Sequence, residues 1–275
     1  MSATNQAEFI LTARRLNKTY SQRSGRFGFG HSVIKALDNV SVSLRAGSTL
    51  AVVGESGSGK STLARCLLQL QPLDSGEVLF QGRDLAILTA DELRAERRHI
   101  QMVFQDPFAS LNPRMKVGEI VGEGLLIHKL GDAVEQRQKV LQMLRRVGLS
   151  EADMRKYPHE FSGGQRQRIG IARALVLEPK VVVCDEPVSA LDVSFQAQIL
   201  LLLKELQQEM HLSYIFISHD LRVVRHIADE VVVMHQGRVV EHGKVDELYA
   251  APVQEYTRNL LNSIPGRKAM AGVTH

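Results

Sequence analysis

Gly54 to Ser61 reads GESGSGKS and fits the spacing G-x-x-x-x-G-K-[ST]. The apolar run TLAVV precedes it and the helical pattern KSTLARCLLQL follows, the strand–loop–helix context in which such a loop wraps a phosphate. Gly54, Gly57 and Gly59 let backbone N–H groups turn inward, with Glu55, Ser56 and Ser58 between them. Lys60 would neutralise β and γ phosphates, Ser61 offers a hydroxyl to Mg²⁺, and Thr62 completes the loop-to-helix junction. An ordinary glycine-rich turn is the competing reading; the flanking strand and helix favour ATP or GTP.

A second apolar strand pattern, VVVCDEP, ends in Asp185 and Glu186. In a parallel sheet these carboxylates emerge at the same edge as the loop at Gly54, where alternation points them in different directions. Two roles suit them: Asp185 in a Mg²⁺ shell, Glu186 polarising an attacking water. SYIFISHD repeats the geometry with His219 at the strand end, as a contact for a γ phosphate or as a structural histidine. Gln105 closes IQMVFQ, and its amide can reach Mg²⁺ or water or simply be a polar loop residue. Tyr20, at the end of LNKTY, can stack on a base or lie on the surface.

HEFSGGQRQRIGIARAL begins a helix with Gly163 and Gly164 in its first turn, although glycine costs about 1 kcal/mol relative to alanine inside a helix. Ser162 and Gln165 have the spacing of a capping box, which explains the start but not the glycines. Bare N–H dipoles approached through glycines make an anion site.

The elements that must hold these residues are near-continuous apolar strands separated by helices, the pattern of a parallel sheet covered on both faces. Short strands FILTARRL, VSVSL and TLAVVG open the chain, with a mobile hairpin loop expected at SQRSGRFGFGHS. From Asp106 to about Arg173 the pattern is helical without clear strands, and ADEVVVMHQGRVVEHG reads as a hairpin turning at HQG. The last thirty residues read as helical, then polar.

With 275 residues, 44% of them hydrophobic, the chain can bury one large core or two small ones. Its net charge of +4 sets 34 basic against 30 acidic residues, which does not signal nucleic-acid binding. No run approaches a membrane span, and the N-terminus lacks the pattern of a signal peptide, so a cytoplasmic protein is expected. Cys66 and Cys184 lie in separate apolar stretches and read as small core residues.

Taken in order, GESGSGKS, the glutamine of VFQDPFASLNPR, FSGGQRQR, VVVCDEP, SALD and ISHD resemble the ATP-binding subunit of ABC transporters over nearly the whole chain. The resemblance implies a P-loop NTPase (RecA-like) α/β fold: a mostly parallel sheet, an N-terminal antiparallel β subdomain and an inserted α-helical subdomain. It implies one ATPase domain over 8–260, with core and β subdomain at 8–105 and 173–245, the helical subdomain at 106–172, and a C-terminal extension at 246–275. FSGGQ then becomes the signature that meets a partner's ATP through Ser162, Gly163, Gly164 and Gln165. Asp185 becomes the magnesium aspartate, Glu186 the catalytic glutamate, His219 the switch histidine, Gln105 the coupling glutamine and Tyr20 the adenine-stacking aromatic. Ser189, Ala190, Leu191 and Asp192 form the dimer seam.

MVFQDPFASLNPRMKVGE, KYPHEFSGGQRQRIGIARAL and EYTRNLLNSIP are similar to the dipeptide/oligopeptide importer ATPases, whose relatives carry nickel or glutathione. That implies ATP and Mg²⁺ as ligands and a second, different but homologous ATPase chain. It also implies two transmembrane permease subunits, an extracytoplasmic binding protein and a peripheral place on the cytoplasmic face of the inner membrane. With no cysteine after Cys184, no iron-sulfur cluster is expected. A soluble ABC ATPase acting on DNA or ribosomes is the reading from another class; it usually has two cassettes or a long coiled coil.

Overall fold

The computed structural model describes residues 9–24 and 30–264. In chain order the strands and helices are β1 (Phe9–Ser24), β2 (Gly30–Arg45), β3 (Thr49–Val53), α1 (Lys60–Leu67), β4 (Ser75–Phe80), β5 (Arg83–Asp84) and α2 (Ala90–Arg97). There follow β6 (Ile100–Val103), α3 (Pro107–Ser110), α4 (Val117–Ile127), α5 (Ala133–Arg146), α6 (Gly163–Leu175), β7 (Val181–Asp185) and α7 (Val193–Met210). The chain ends in β8 (Ser213–Ser218), α8 (Leu221–Ile227), β9 (Glu230–His235), β10 (Arg238–Lys244), α9 (Val245–Ala250) and α10 (Glu255–Asn262). It divides into two compact units, one running to Ile87 and resuming at Phe216, the other Leu88–Ile215, so that the boundary falls within β8.

In the first unit, β1 lies between β2 and β4 in an antiparallel sheet of order β2-β1-β4-β5. β3 is buried at every position and pairs parallel with β9, Leu50 opposite Glu230 through Val53 opposite Val233. β9 returns as β10 through Gln236 and Gly237, both at positive φ, so the hairpin turns at HQG as expected. Ala51, Val53, Val231 and Val233 form one core with Leu221, Val224, Leu248 and Leu261 from α8, α9 and α10. Each fully buried Val or Leu contributes about 1.5–3 kcal/mol.

The opening strands are longer than the alternation suggested, at 16 residues each. β1 and β2 pair from Phe9 opposite Arg45 to Ser24 opposite Gly30, with register shifts that break the period-two pattern. Thus 21–24 and 30–32 are strand rather than loop, while 25–29 lie outside the described residues.

In the second unit β6 pairs parallel with β7, Ile100 opposite Val181 through Val103 opposite Cys184. β7 is buried throughout, as expected of a parallel strand covered on both faces. Its burial pushes the Cys184 thiol far up, and burial also raises Cys66, in the other unit, to about 11. Neither cysteine is in a disulfide. Between Asp106 and Ser162 the described residues hold helices and no strand, with α4 packed on α5 and α6. Among the described residues no helix is long and apolar enough to cross a membrane.

The turn leading towards α6 is tied by Asp153, whose carboxylate accepts from the Ser150 N–H at 2.9 Å, the Ser150 hydroxyl at 2.7 Å and Lys156 Nζ at 2.7 Å. The Lys156 bond above all holds its pKa down to about 2, against 3.8 ordinarily. A carboxyl depressed by folding stabilises the native state above its unfolded pKa and loses that contribution as pH falls through the folded one. Asp153→Asn is therefore expected to lower the urea midpoint at pH 6, with the gap to wild type narrowing between pH 4 and pH 2. A gap of the same size at pH 6 and pH 3 would contradict this origin.

Candidate phosphate-binding site

The loop at Gly54 leaves the end of β3 and enters α1 at Lys60. Its glycines answer first to crowding by neighbouring backbone. Gly54 has φ +149°, and a Cβ there would lie 2.2 Å from the Met234 carbonyl oxygen. Gly59 has φ +106°, with a would-be Cβ 2.3 Å from the Ala36 carbonyl oxygen. Gly59 is also the N-cap of α1, without a side-chain cap, and the first turn has no acidic residue. The helix start therefore brings no anion of its own, the condition for binding one from outside.

Lys60 is buried at 5% exposure. Its ammonium donates to the Gly54 carbonyl at 2.8 Å, the Glu55 carbonyl at 2.7 Å and the Ser58 hydroxyl at 3.4 Å. The Ser58 N–H donates to the Glu55 carbonyl, and Gly237 N–H to the Ser58 carbonyl, so the hairpin of β9 and β10 braces the loop. Ser61 and Thr62 are half-buried on α1, while Glu55, Ser56 and Gly57 are exposed. Tyr20 is half-buried on β1, with Lys18 Nζ 5.9 Å from its ring centroid. His219 is exposed just beyond β8, next to Asp220, which caps α8 by accepting from the Arg222 N–H.

In the second unit, Asp185 is the last residue of β7 and 4% exposed. Glu186 follows at φ +47°, outside the strand. Its divergence from Asp185 thus comes from a backbone turn into the left-handed region, where a non-glycine residue costs about 1–2 kcal/mol, and not from strand alternation alone. Gln105 lies two residues past the end of β6 rather than closing it, and its Nε2 donates to Glu186 Oε2 at 3.0 Å. Two predicted site residues 81 positions apart are thereby brought together. Downstream of Gln105, Ser110 gives its carbonyl to Arg173 of α6, so the segment leaving Gln105 is held at its far end as well.

Ser162 caps α6 as the spacing predicted: the Gln165 N–H donates to its hydroxyl at 3.3 Å and Gln165 Oε1 accepts from the Ser162 N–H at 3.0 Å. Ser162 and Gln165 are exposed, and the first turn of α6 has no acidic residue. Gly164 is buried, and a Cβ there would come 3.1 Å from the Phe195 ring; at Gly163 it would come 3.6 Å from Leu191. Gly164 thus admits the first turn of α7, a packing reason that the local sequence did not reveal, whereas the Leu191 distance at Gly163 is ordinary van der Waals contact and does not require glycine there. In the loop before α7, Ser189 and Ala190 are exposed and the Ser189 hydroxyl donates to the Glu186 carbonyl. Gln196 Nε2 donates to the Val188 and Leu191 carbonyls, and Asp192 is the N-cap of α7. Phe195, Arg173 and Gln196 were missed; only the aromatic at the start of the SFQAQ helix pattern hinted at the first.

Residues 37–189 match the family described as ABC transporter. The chain is 53% identical over 258 residues to the di/tripeptide transport ATP-binding protein DppF of Pseudomonas aeruginosa, covering 94% of this chain and 80% of that one. It is 52% identical over 266 residues to the oligopeptide transport ATP-binding protein AppF of Bacillus subtilis, covering 96% and 80%. Among solved structures it is similar to cbiO1 of Clostridium perfringens, part of an ABC transporter complex, at TM-score 0.77 and 30% identity over 97% of this chain and all of that one. A dimeric ATP-binding cassette bound to ADP and Pi matches at TM-score 0.75 and 32% identity, covering 86% and 98%.

The contact between Gly164 and Phe195 sets two effects against each other. Alanine favours a helix over glycine by up to about 1 kcal/mol, whereas forcing a methyl into a packed contact costs about 1–3 kcal/mol. The Phe195 ring is 41% exposed and has to give way to the new methyl, so Gly164→Ala is expected to be less favourable in the wild-type chain than in a Phe195→Ala chain, read by denaturant midpoints in a double-mutant cycle. An equal effect in both backgrounds would show that Phe195 is not what keeps the position bare.

Proposed function

This chain belongs to the ABC transporter family, and we propose from that premise that it is the ATP-hydrolysing subunit of an importer of di- or oligopeptides. The observation that carries the reading is identity above half, across more than nine-tenths of the chain, to proteins named for ATP binding in di/tripeptide and oligopeptide transport.

The N–H groups from Gly54 to Thr62 and the Lys60 ammonium hold the phosphates, and Tyr20 stacks on the adenine. Ser61, Gln105 and Asp185 are hard oxygen donors of the kind Mg²⁺ takes while keeping waters and phosphate oxygens, so the donor set fits that ion. An Mg²⁺ ion held by these residues would supply positive charge against that developing on the phosphates. Glu186 orients and polarises the attacking water, and the Gln105 amide, held to it at 3.0 Å, ties that carboxylate to the chain entering the helical segment. His219 contacts the γ phosphate.

The first turn of α6, Ser162 to Gln165, faces the γ phosphate of a second ATPase chain, with Ser189 to Asp192 at the seam. Neither chain then completes a site alone, which makes closure dependent on ATP. A related cassette solved as a dimer with ADP and Pi supports this reading. The ATPase domain extends over 8–260; its helical part, 106–172, passes the motion to two permease subunits that an extracytoplasmic binding protein supplies with peptide. The chain works at the cytoplasmic face of the inner membrane.

In the importer assembled with its permeases, peptide-loaded binding protein is expected to stimulate ATP hydrolysis; no stimulation would remove the peptide assignment. Glu186→Gln is expected to keep ATP binding while abolishing turnover and trapping the closed pair, and ordinary multiple turnover in that variant would take Glu186 out of its role. Lys60→Ala is instead expected to weaken ATP binding itself, by about 10- to 100-fold for loss of a charge-assisted contact.

A further inference from the structure

Glu55 is held from both sides of its backbone. Its carbonyl accepts from Lys60 Nζ at 2.7 Å and from the Ser58 N–H at 3.2 Å. Its N–H donates to the Tyr256 hydroxyl oxygen at 3.2 Å, across 201 residues of sequence. Tyr256 is in the first turn of α10, and its ring lies against that of His235, centroids 4.0 Å apart. His235 ends β9, next to the turn whose Gly237 N–H holds the Ser58 carbonyl. Tyr256 therefore touches the start of the phosphate loop directly and also rests on the hairpin that braces its middle.

The element carrying Tyr256 is itself fixed. The Glu241 carboxylate on β10 accepts from the Val253 N–H at 2.8 Å and the Gln254 N–H at 3.1 Å, which anchors the entry to α10. Leu261 is fully buried in the core with Ala51 and Val53, on the strand that delivers the loop. Leu260 of α10, with Ser263 and Ile264 just beyond its end, lines a cleft of about 260 Å³ together with His219 and Arg222. A helix seated this firmly can hold the loop to a set position.

We propose that Tyr256 is a positioning residue for the nucleotide site, holding the Glu55 peptide so that the loop's phosphate-facing N–H groups are in place before ATP arrives. The inference rests on the reading of Gly54–Ser61 as the ATP phosphate loop. When Lys60 turns from the Gly54 and Glu55 carbonyls to a phosphate, those carbonyls lose a donor, and the Tyr256 bond still holds the loop's start. Ordering the loop in advance lowers the cost of binding. The loop grips phosphate in the ground state and the transition state alike, so its loosening raises KM and leaves kcat.

The test uses the full chain for Mg-ATP affinity and the assembled importer for ATPase kinetics, comparing wild type, Lys60→Ala, Tyr256→Phe and His235→Ala. Tyr256→Phe keeps the ring and loses the hydroxyl; it is expected to raise Kd and KM for ATP by about 2- to 10-fold, the worth of one hydrogen bond, with kcat within about twofold. His235→Ala keeps the hydroxyl but removes the ring that seats it, and is expected to shift KM in the same direction, which provides a second variant should the first fold poorly. Unchanged Kd and KM in both, with wild type binding and Lys60→Ala impaired, would overturn the proposal, as would a fall in kcat at constant KM. If wild type and Lys60→Ala bind ATP equally poorly, the phosphate-loop reading itself fails.

Discussion

Burying the Lys60 ammonium is the constraint around which the first unit is arranged. A charge sealed in protein without partners costs several kcal/mol, and here the partners are two carbonyls and a hydroxyl from the six residues preceding it. Turning those oxygens towards one point requires a tight reversal with positive φ at Gly54, Gly57 and Gly59. That reversal is pressed against carbonyls of β2 and β9. On the proposed reading, a ligand phosphate would exchange one set of oxygens around the ammonium for another, so that the loop needs little rearrangement of charge to accept it.

Two helices in the chain begin in related ways. α1 starts at a glycine cap and α6 at a serine cap, and neither has an acidic side chain in its first turn. By contrast α2, α4 and α5 each place a glutamate there, which offsets the partial positive charge of a helix start. α7 and α8 also lack a first-turn acid but begin at Asp192 and Asp220, so α1 and α6, one in each unit, start with neither an acidic cap nor an acidic first turn.

Much of this was legible before the structure. β3, β7 and β8 read as buried parallel strands because continuous β-branched and apolar runs leave no face for water. The capping box at Ser162 and the hairpin at Gln236 were legible because three or four residues determine them. The true length of β1 and β2 was hidden by register shifts that break alternation. Phe195 beside Gly164 and Tyr256 on Glu55 were hidden because contacts 31 and 201 residues apart leave no periodic trace. The turn at Glu186 was hidden because a left-handed residue in place of glycine marks a site where tertiary structure overrides local preference.

On the proposed reading, that left-handed glutamate sets stability and activity against each other at one position. Glycine or asparagine would occupy φ +47° with less strain, so a screen that rewards heat resistance alone favours losing the carboxylate at Glu186. Such a screen would also release the Gln105 amide from the Glu186 carboxylate, while the bond from Arg173 to the Ser110 carbonyl further along stayed in place. A strained glutamate just past the end of β7 is thus a position where the proposed function and the firmness of the fold ask for different residues.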